Sequence, residues 1–355
     1  MSDINVKIAT DSVINAKIAD IQVINDTKYY DWQPHPDWIE VPEPANNEGY
    51  ILMSSIYETT PSIGLIATTS TGQYKVDWGD GSAVEYFNSN VQADHTYTSG
   101  GKDCSLGYKT WLIKVSAVSG NIASFSLAKP YYQINLTSGV LAININFPYA
   151  TIFNSMLGYN DVSSLFVQYI KFGENLYNNC SFYSTFYLAY NLEKVILPKN
   201  IYGNITSLSN IFYSCRKLKE VENLQTIISK LVGTIGWGFV ECTLDKKYSL
   251  VLPPTITELA NSFNKLVAPQ SEIEIKGATG TPSLHSCFNT AYIRKVKFTG
   301  QINATNITYA FQNASILESL EGTEYIGSQT SNVDGTNFFV NCYNLSSSYT
   351  LCKTN

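Results

Sequence analysis

Leu208-Ser209-Asn210-Ile211-Phe212-Tyr213-Ser214-Cys215-Arg216-Lys217-Leu218-Lys219-Glu220-Val221 is the stretch that decides the fold. It places an apolar anchor at 208, an aromatic at 212, a small residue at 215, then Leu218 and Val221. The same order returns as Phe182-Phe186-Ala189-Leu192-Val195, followed by Leu197-Pro198, and as Ile307-Phe311-Ala314-Leu317-Leu320. Weaker copies are Met156-Tyr159-Val162-Leu165, Ile235-Phe239-Cys242, Leu259-Phe263-Leu266, Leu284-Phe288-Ala291-Val296 and Phe339-Cys342-Leu345.

The central anchors fall at 156, 186, 212, 239, 263, 288, 311 and 339, in steps of 23 to 30 residues. Such a step suits a stack in which each repeat supplies one strand and one short helix or turn, so eight coils are predicted. The four-three-three spacing puts the anchors on one helical face, with a strand after it, as in Val195-Ile196-Leu197 or Lys295-Val296-Lys297-Phe298. The third anchor alternates between Cys215, Cys242 or Cys342 and Ala189, Ala291 or Ala314, so the site wants a small buried group rather than a disulfide or a metal ligand. Phe-x-x-Cys-x-x-Leu-x-x-Val with an occasional Leu-Pro resembles the BspA-type leucine-rich repeat over roughly residues 150–350. That resemblance implies a solenoid with a parallel β-sheet and short helices or turns over 131–355. Residues 131–150, alternating and apolar, are expected to cap its first coil.

N-terminal to the repeats, residues 49–130 read as short strands bounded by turn residues: Tyr50–Met53, Ile63–Ala67, Tyr74–Trp78, Ala83–Phe87 and Trp111–Ala117. This is the pattern of an antiparallel sandwich. Within it, Val76-Asp77-Trp78-Gly79-Asp80-Gly81-Ser82 and then His95-Thr96-Tyr97 resemble the PKD-like, immunoglobulin-like module. Gly79-Asp80-Gly81 suits a tight hairpin, Trp78 is a core candidate, and His95 reads as a structural residue beside a buried tyrosine. Asp77 and Asp80 are weighed as a calcium pair against that turn role, which two carboxylates favour.

Residues 29–48 hold four prolines and three aromatics in Tyr29-Tyr30-Asp31-Trp32-Gln33-Pro34-His35-Pro36-Asp37-Trp38-Ile39-Glu40-Val41-Pro42-Glu43-Pro44, with Trp38 as a fourth. This reads as a stiff connector whose aromatics lie against a neighbour, with His35 incidental. Residues 1–28 contain two matching decads, VKIATDSVIN at 6–15 and AKIADIQVIN at 16–25. Their β-branched residues favour strands, and so short a repeat is expected to dock on another particle protein or on its own copies; a disordered tail is the alternative.

The fold class expected is therefore multidomain: an extended N-terminal attachment segment, an all-β immunoglobulin-like sandwich, then a leucine-rich-repeat solenoid. Charged residues are 15% of the 355, while Asn, Ser, Thr and 25 Tyr fill their place, which implies a neutral, hydroxyl-rich surface. The net charge of −6, with no basic run, argues against a nucleic-acid partner. No apolar stretch has the length of a membrane span, and no cationic leader is visible. Seven scattered cysteines (Cys104, Cys180, Cys215, Cys242, Cys287, Cys342, Cys352) without a CxxC pair read as reduced thiols.

His35, His95 and His285 lie in separate segments and no phosphate loop, HExxH or GxSxG is present, so no catalytic, cofactor or metal site is expected. Seven sequon patterns, at Asn135, Asn179, Asn204, Asn303, Asn306, Asn313 and Asn344, are attributed to chance in an Asn-rich chain. Tyr183, Tyr187, Tyr190 and Tyr213 are the candidate contact residues for a glycan or a protein. The modular order resembles phage head-fibre, tail-fibre and decoration proteins. That resemblance implies a non-enzymatic virion protein assembled in the host cytoplasm, self-associating, with a trimer among the options, and attached to other virion proteins by its N-terminus. A bacterial or protist cell-surface adhesin is the alternative, and a polysaccharide-degrading appendage enzyme the third reading.

Overall fold

The computed structural model describes residues 4–7, 13–16, 32–56, 60–128, 139–157, 166–304, 306–327 and 335–345. The chain forms two compact units, Met1–Pro34 and His35–Asn355. In the first, β1 (Ile4–Lys7) and β2 (Val13–Ala16) pair antiparallel, with Ile4 opposite Ala16 and Lys7 opposite Val13. The hairpin is thus built almost within the first decad; most of the second lies outside the described residues.

The second unit begins with a two-sheet β module. One sheet has the order β6 (Glu85–Asn88), β5 (Gln73–Asp77), β9 (Lys109–Ala117), β3 (Glu48–Ser54), with β8 (Lys102–Asp103) pairing on β9. The other runs β10 (Ile122–Ala128), β4 (Ser62–Thr69), β7 (Gln92–Thr96). Alternation does the work: Tyr74 and Val76 of β5, Ile113 and Val115 of β9 and Leu65 of β4 point inward and are fully buried. Between β5 and β6 the Gly79-Asp80-Gly81 segment lies in a seven-residue connection, since β5 ends at Asp77 and β6 starts at Glu85, and not in the tight hairpin expected. Asp77 Oδ1 accepts the Gly79 N–H at 3.0 Å and Asp80 Oδ1 the Ser82 N–H at 2.9 Å, the short-range bonds that bend such a loop. Gly79 has φ +73°, and a Cβ there would stand 2.2 Å from the Leu112 carbonyl oxygen, so only glycine fits.

The boundary expected at residue 130 is not a boundary in hydrogen bonding. Strand β11 (Gly139–Asn146) pairs antiparallel with β3 and, on its other edge, parallel with β12 (Tyr169–Phe172). The same sheet then continues through β15 (Lys194–Ile196) and β18 (Glu220–Glu222). The opposite sheet also runs on: parallel bridges lead from Ser124 to Ile152 to Ser181, and β14 (Cys180–Ser181) continues to β17 (Ile205–Ser207) and β19 (Leu231–Thr234). Residues 139–146 therefore fuse the coils to the module instead of capping them, and residues 131–138 lie outside the described residues. A small third sheet joins β13 (Asn175–Leu176) to β16 (Asn200–Ile201), and the later coils stack β20 (Ser249–Leu252), β21 (Glu272–Ile275), β22 (Lys295–Phe298) and β23 (Ser319–Glu321) in parallel. The result is a nearly all-β chain whose second part is a β-solenoid of about seven turns.

The helical face expected around each phenylalanine is not there. Among the described residues the one α-helix is α1 (Leu224–Ser229), and a single 3-10 turn covers Thr323–Tyr325. Each central phenylalanine instead sits midway between two left-handed residues four apart, such as Asn210 and Ser214 around Phe212, Asn261 and Lys265 around Phe263, and Ser286 and Thr290 around Phe288, with φ between 52° and 58°. This conformation turns alternate amides outward along the stack. Asn261, Phe263 and Lys265 donate to His285, Cys287 and Asn289 of the next coil at 2.8–2.9 Å, whereas Leu266 donates back to Phe263 at 3.1 Å. A helix keeps all such bonds within itself; the turn shares them with its neighbour, which is how a spacing of four, three and three is met without one.

The rings stack in consequence. Phe186, Phe212, Phe239, Phe263, Phe288 and Phe311 form an unbroken column with centroid separations of 5.0–5.5 Å. Each ring is at most 1% exposed, and each contact adds roughly 0.5–1.5 kcal/mol to area burial. The third anchors Ala189, Cys215, Cys242, Ala291 and Ala314 are fully buried beside it, and the Cys215 thiol donates to the Phe186 carbonyl at 3.1 Å. On the outer face of the sheets lie paired charges. Lys194 lies 2.9 Å from Glu222 and 3.3 Å from Glu220, while Lys297 lies 3.3 Å from Glu321. Burial works against the Lys194 ammonium, but the two carboxylates outweigh it and hold its pKa above lysine's ordinary value.

Candidate functional site

Among the described residues, the outward positions of the solenoid strands carry the lysines and glutamates just described, in place of the neutral, hydroxyl-rich surface expected from composition. The aromatics are at the corners. One tyrosine projects from the corner of each early coil: Tyr149 after β11, and Tyr177 and Tyr202 after the two strands of the small third sheet; they are 41%, 42% and 65% exposed. Their rings stack at 5.1 and 5.0 Å. Backbone bonds fix the rungs, since Tyr177 N donates to Pro148 and Tyr202 N to Leu176. Stacked rings cover one another's faces, so the row offers edges and hydroxyls, and the terminal ring, Tyr202, is the most open of the three.

Beside this row a groove of about 690 Å³ opens where residues 43–44 of the connector cross the corner between the main sheet and the third sheet. Asn144 Nδ2 donates to the Pro42 carbonyl at 3.0 Å and Asn146 Nδ2 to that of Pro44 at 3.2 Å. Glu43 pairs with Lys171 on the outward face of β12. Asn144 is 3% exposed, and its Oδ1 accepts no hydrogen bond in the structure. A buried acceptor without a donor is costly to the fold. Glu174, Lys199, Glu222 and Asn223 complete a polar lining over Phe172, Ile196 and Leu197. The chain matches no family model, no curated protein and no solved structure in these comparisons.

Of the tyrosines expected to make contacts, Tyr187 and Tyr213 stack on each other at 5.0 Å, and Trp237 extends that row at 6.4 Å. Tyr190 lies under the Arg216 guanidinium at 5.4 Å, and Tyr183 is 39% exposed at the start of its turn. These four belong to the phenylalanine turn, on another edge of the coil from the Tyr149–Tyr177–Tyr202 row, which sequence reading missed. The signal was a tyrosine at intervals of 28 and 25 residues, hidden because only the phenylalanine register was aligned.

The remaining sequence candidates separate. His95 Nε2 lies 2.9 Å from Asp80 Oδ2, its ring stacks on Trp78 at 4.7 Å, and the Tyr97 hydroxyl donates to the Trp78 carbonyl at 2.9 Å. The two motifs of the β module thus meet in one buried cluster, and Trp78 and Tyr97 are both fully buried. Partial burial raises the Asp80 pKa, but bonds from Ser82 and His95 outweigh it and bring it down to about 2. Each carboxylate weighed as a calcium pair accepts a turn bond through its Oδ1, and Asp80 Oδ2 also meets His95. His285 Nδ1 meets the Thr308 hydroxyl at 2.6 Å on a different coil, so the three histidines stay apart. Several sequon asparagines hold coil to coil: Asn179 Oδ1 accepts the Asn204 N–H at 2.8 Å, and Asn313 Oδ1 the Asn341 amide at 2.7 Å. Cys104, Cys180, Cys215, Cys242, Cys287 and Cys342 are unpaired thiols, and burial pushes the Cys215 and Cys242 thiols well up from their ordinary value. Cys352 and Asn135 lie outside the described residues.

Proposed function

We propose that the protein is a non-enzymatic appendage of a bacteriophage particle, a head-fibre, tail-fibre or decoration protein. In this reading it attaches to other virion proteins through its N-terminal hairpin and offers one flank of the solenoid to a hydroxyl-rich host-surface partner, a glycan first and a protein second. The observation that carries the proposal is the open tyrosine row, with Tyr177 and Tyr202 three residues beyond Glu174 and Lys199 of the polar groove, held on stacked β coils. Aromatic rings and amides preorganised in this way make low-entropy contacts with neutral polymers. Of the three glutamates that line the groove, Glu43 is tied to Lys171 and Glu222 to Lys194, which supports a binding role over hydrolysis. The meeting of Trp78, Asp80, His95 and Tyr97 supports reading the β module as PKD-like and immunoglobulin-like, and the phenylalanine column supports reading the coils as relatives of leucine-rich repeats.

The test is calorimetry of the full chain against host capsule and cell-wall glycans, beside labelling of purified particles with an antibody to the solenoid. Binding that Tyr202→Ala weakens about tenfold, the usual cost of a central aromatic contact, is expected. Shortened glycan products, or unlabelled particles, would overturn it.

A further inference from the structure

A second site lies in the β module, away from the solenoid flank. The turn His35-Pro36-Asp37-Trp38 is closed by a bond from Trp38 N to the His35 carbonyl at 2.9 Å, and it packs on the connection between β8 and β9. There Cys104 takes the Tyr108 carbonyl through its amide at 2.8 Å and gives its own carbonyl to Gly107 at 2.9 Å. Three side chains of different donor type converge. Cys104 Sγ lies 3.8 Å from His35 Nδ1, His35 Nδ1 lies 3.9 Å from Asp37 Oδ2, and the three donor atoms all fall within 4.8 Å of one another.

We propose that His35, Asp37 and Cys104 bind one borderline divalent transition-metal ion, Zn²⁺ foremost, which clamps the connector to the β module. Tetrahedral Zn²⁺ with bonds of about 2.0–2.3 Å holds N and S roughly 3.6 Å apart and N and O roughly 3.4 Å apart. The Cys104–His35 and His35–Asp37 separations of 3.8 and 3.9 Å exceed these by a few tenths of an ångström, and side-chain rotations about Asp37 and Cys104 would bring the third pair, within 4.8 Å, to bonding distance of the same ion. One sulfur, one nitrogen and one carboxylate oxygen select Zn²⁺ or Co²⁺ over Ca²⁺ or Mg²⁺, which need oxygen cages. Cys104 is 6% exposed, whereas the His35 and Asp37 side chains are 28% and 37% exposed. The ion therefore has a route in and a solvent side for a water as fourth ligand. On binding, the thiol proton leaves to solvent, and thiolate and carboxylate together balance the dication.

The surroundings are those of a supported site. The Ser105 amide donates to Asp37 Oδ2 at 2.9 Å, Trp38 Nε1 to the Tyr108 hydroxyl at 2.8 Å, and Lys102 Nζ to the Trp38 carbonyl at 3.1 Å. These bonds hold both halves in place without the ion, as outer-shell partners do. The contact the ion would replace is weak: the Asp37 N–H reaches His35 Nδ1 at 3.3 Å. Cys104 also stands apart from Cys215 and Cys342, whose thiols donate to carbonyls of the phenylalanine turns.

The experiment is Co²⁺ titration of the untagged, metal-stripped full chain, followed by absorbance. One equivalent of Co²⁺ with a thiolate-to-cobalt charge-transfer band, bleached by Zn²⁺, is expected. The band should vanish in Cys104→Ser, and His35→Gln should weaken Co²⁺ binding at least tenfold while circular dichroism stays unchanged. Zn²⁺ should raise the melting temperature of the wild-type chain and leave that of His35→Gln where it was. No band, or a band that survives in Cys104→Ser, would overturn the proposal.

Discussion

The β module and the early coils of the solenoid share the same two sheets, yet module and solenoid are stabilised in opposite ways. In the module every large side chain has its own surroundings: Trp78 stacks on His95, Tyr97 on Trp111, and the tyrosine and tryptophan polar ends are tied to particular partners. In the solenoid one contact is repeated, Phe on Phe, at 5.0–5.5 Å from coil to coil. A unique core specifies one arrangement through hydrogen bonds that fit nowhere else. A repeated core is specified by register and gains cooperativity only through its neighbours.

The sharpest way to break the comparison is to remove one rung. Phe263→Ala, in mid-column, is expected to cost about 3–5 kcal/mol and to split denaturant unfolding into two transitions, because coils on either side lose their coupling. A single unchanged transition would show that the column is not what couples them. In the module the corresponding probe is acid. The Asp80 pKa is depressed in the folded state, so its contribution is complete above the unfolded carboxylate value near 4 and is lost as pH falls through about 2. Asp80→Asn should therefore cost on the order of 1–2 kcal/mol at neutral pH and only a small part of that at pH 2, measured by urea midpoints at both.

A third substitution separates turn from helix. Thr290 is β-branched and has φ 55°, a costly conformation for such a residue. Thr290→Gly should raise stability by about 0.5–1 kcal/mol, whereas in a helix the same change would lower it by about as much. The smallest effect belongs to the outer charges. Lys297→Ala, which removes a half-exposed pair with Glu321, should shift stability by less than about 0.5 kcal/mol and less still in high salt.

Much of this was legible in the sequence because burial leaves a periodic mark. Phe186, Phe212 and Phe311 were placed in one interior from spacing alone, and the exchange of Cys for Ala at 189, 215, 242, 291 and 314 marked a small buried site. What was not legible was backbone handedness: a helix and a left-handed turn pair satisfy the same apolar spacing, and the distinguishing cue, Asn or Ser two residues before Phe at 184, 210, 261 and 286, is polar and easily read as solvent-facing. The tyrosine row escaped for a related reason, since it lies out of phase with the register that was aligned. His35 looked incidental because Cys104, its partner, is 69 residues distant and nothing local announces the pairing.

The unbroken passage of both sheets from β3 and β10 into the coils has a mechanical consequence. Among the described residues, a bending or pulling load applied at the connector travels through backbone bonds from strand to strand as far as β18 and β19, while the later coils β20 to β23 form a sheet of their own. The flank carrying Tyr149, Tyr177 and Tyr202 is therefore aimed by the same lattice that receives the force, and its orientation relative to Trp38 and the connector is set when the chain folds.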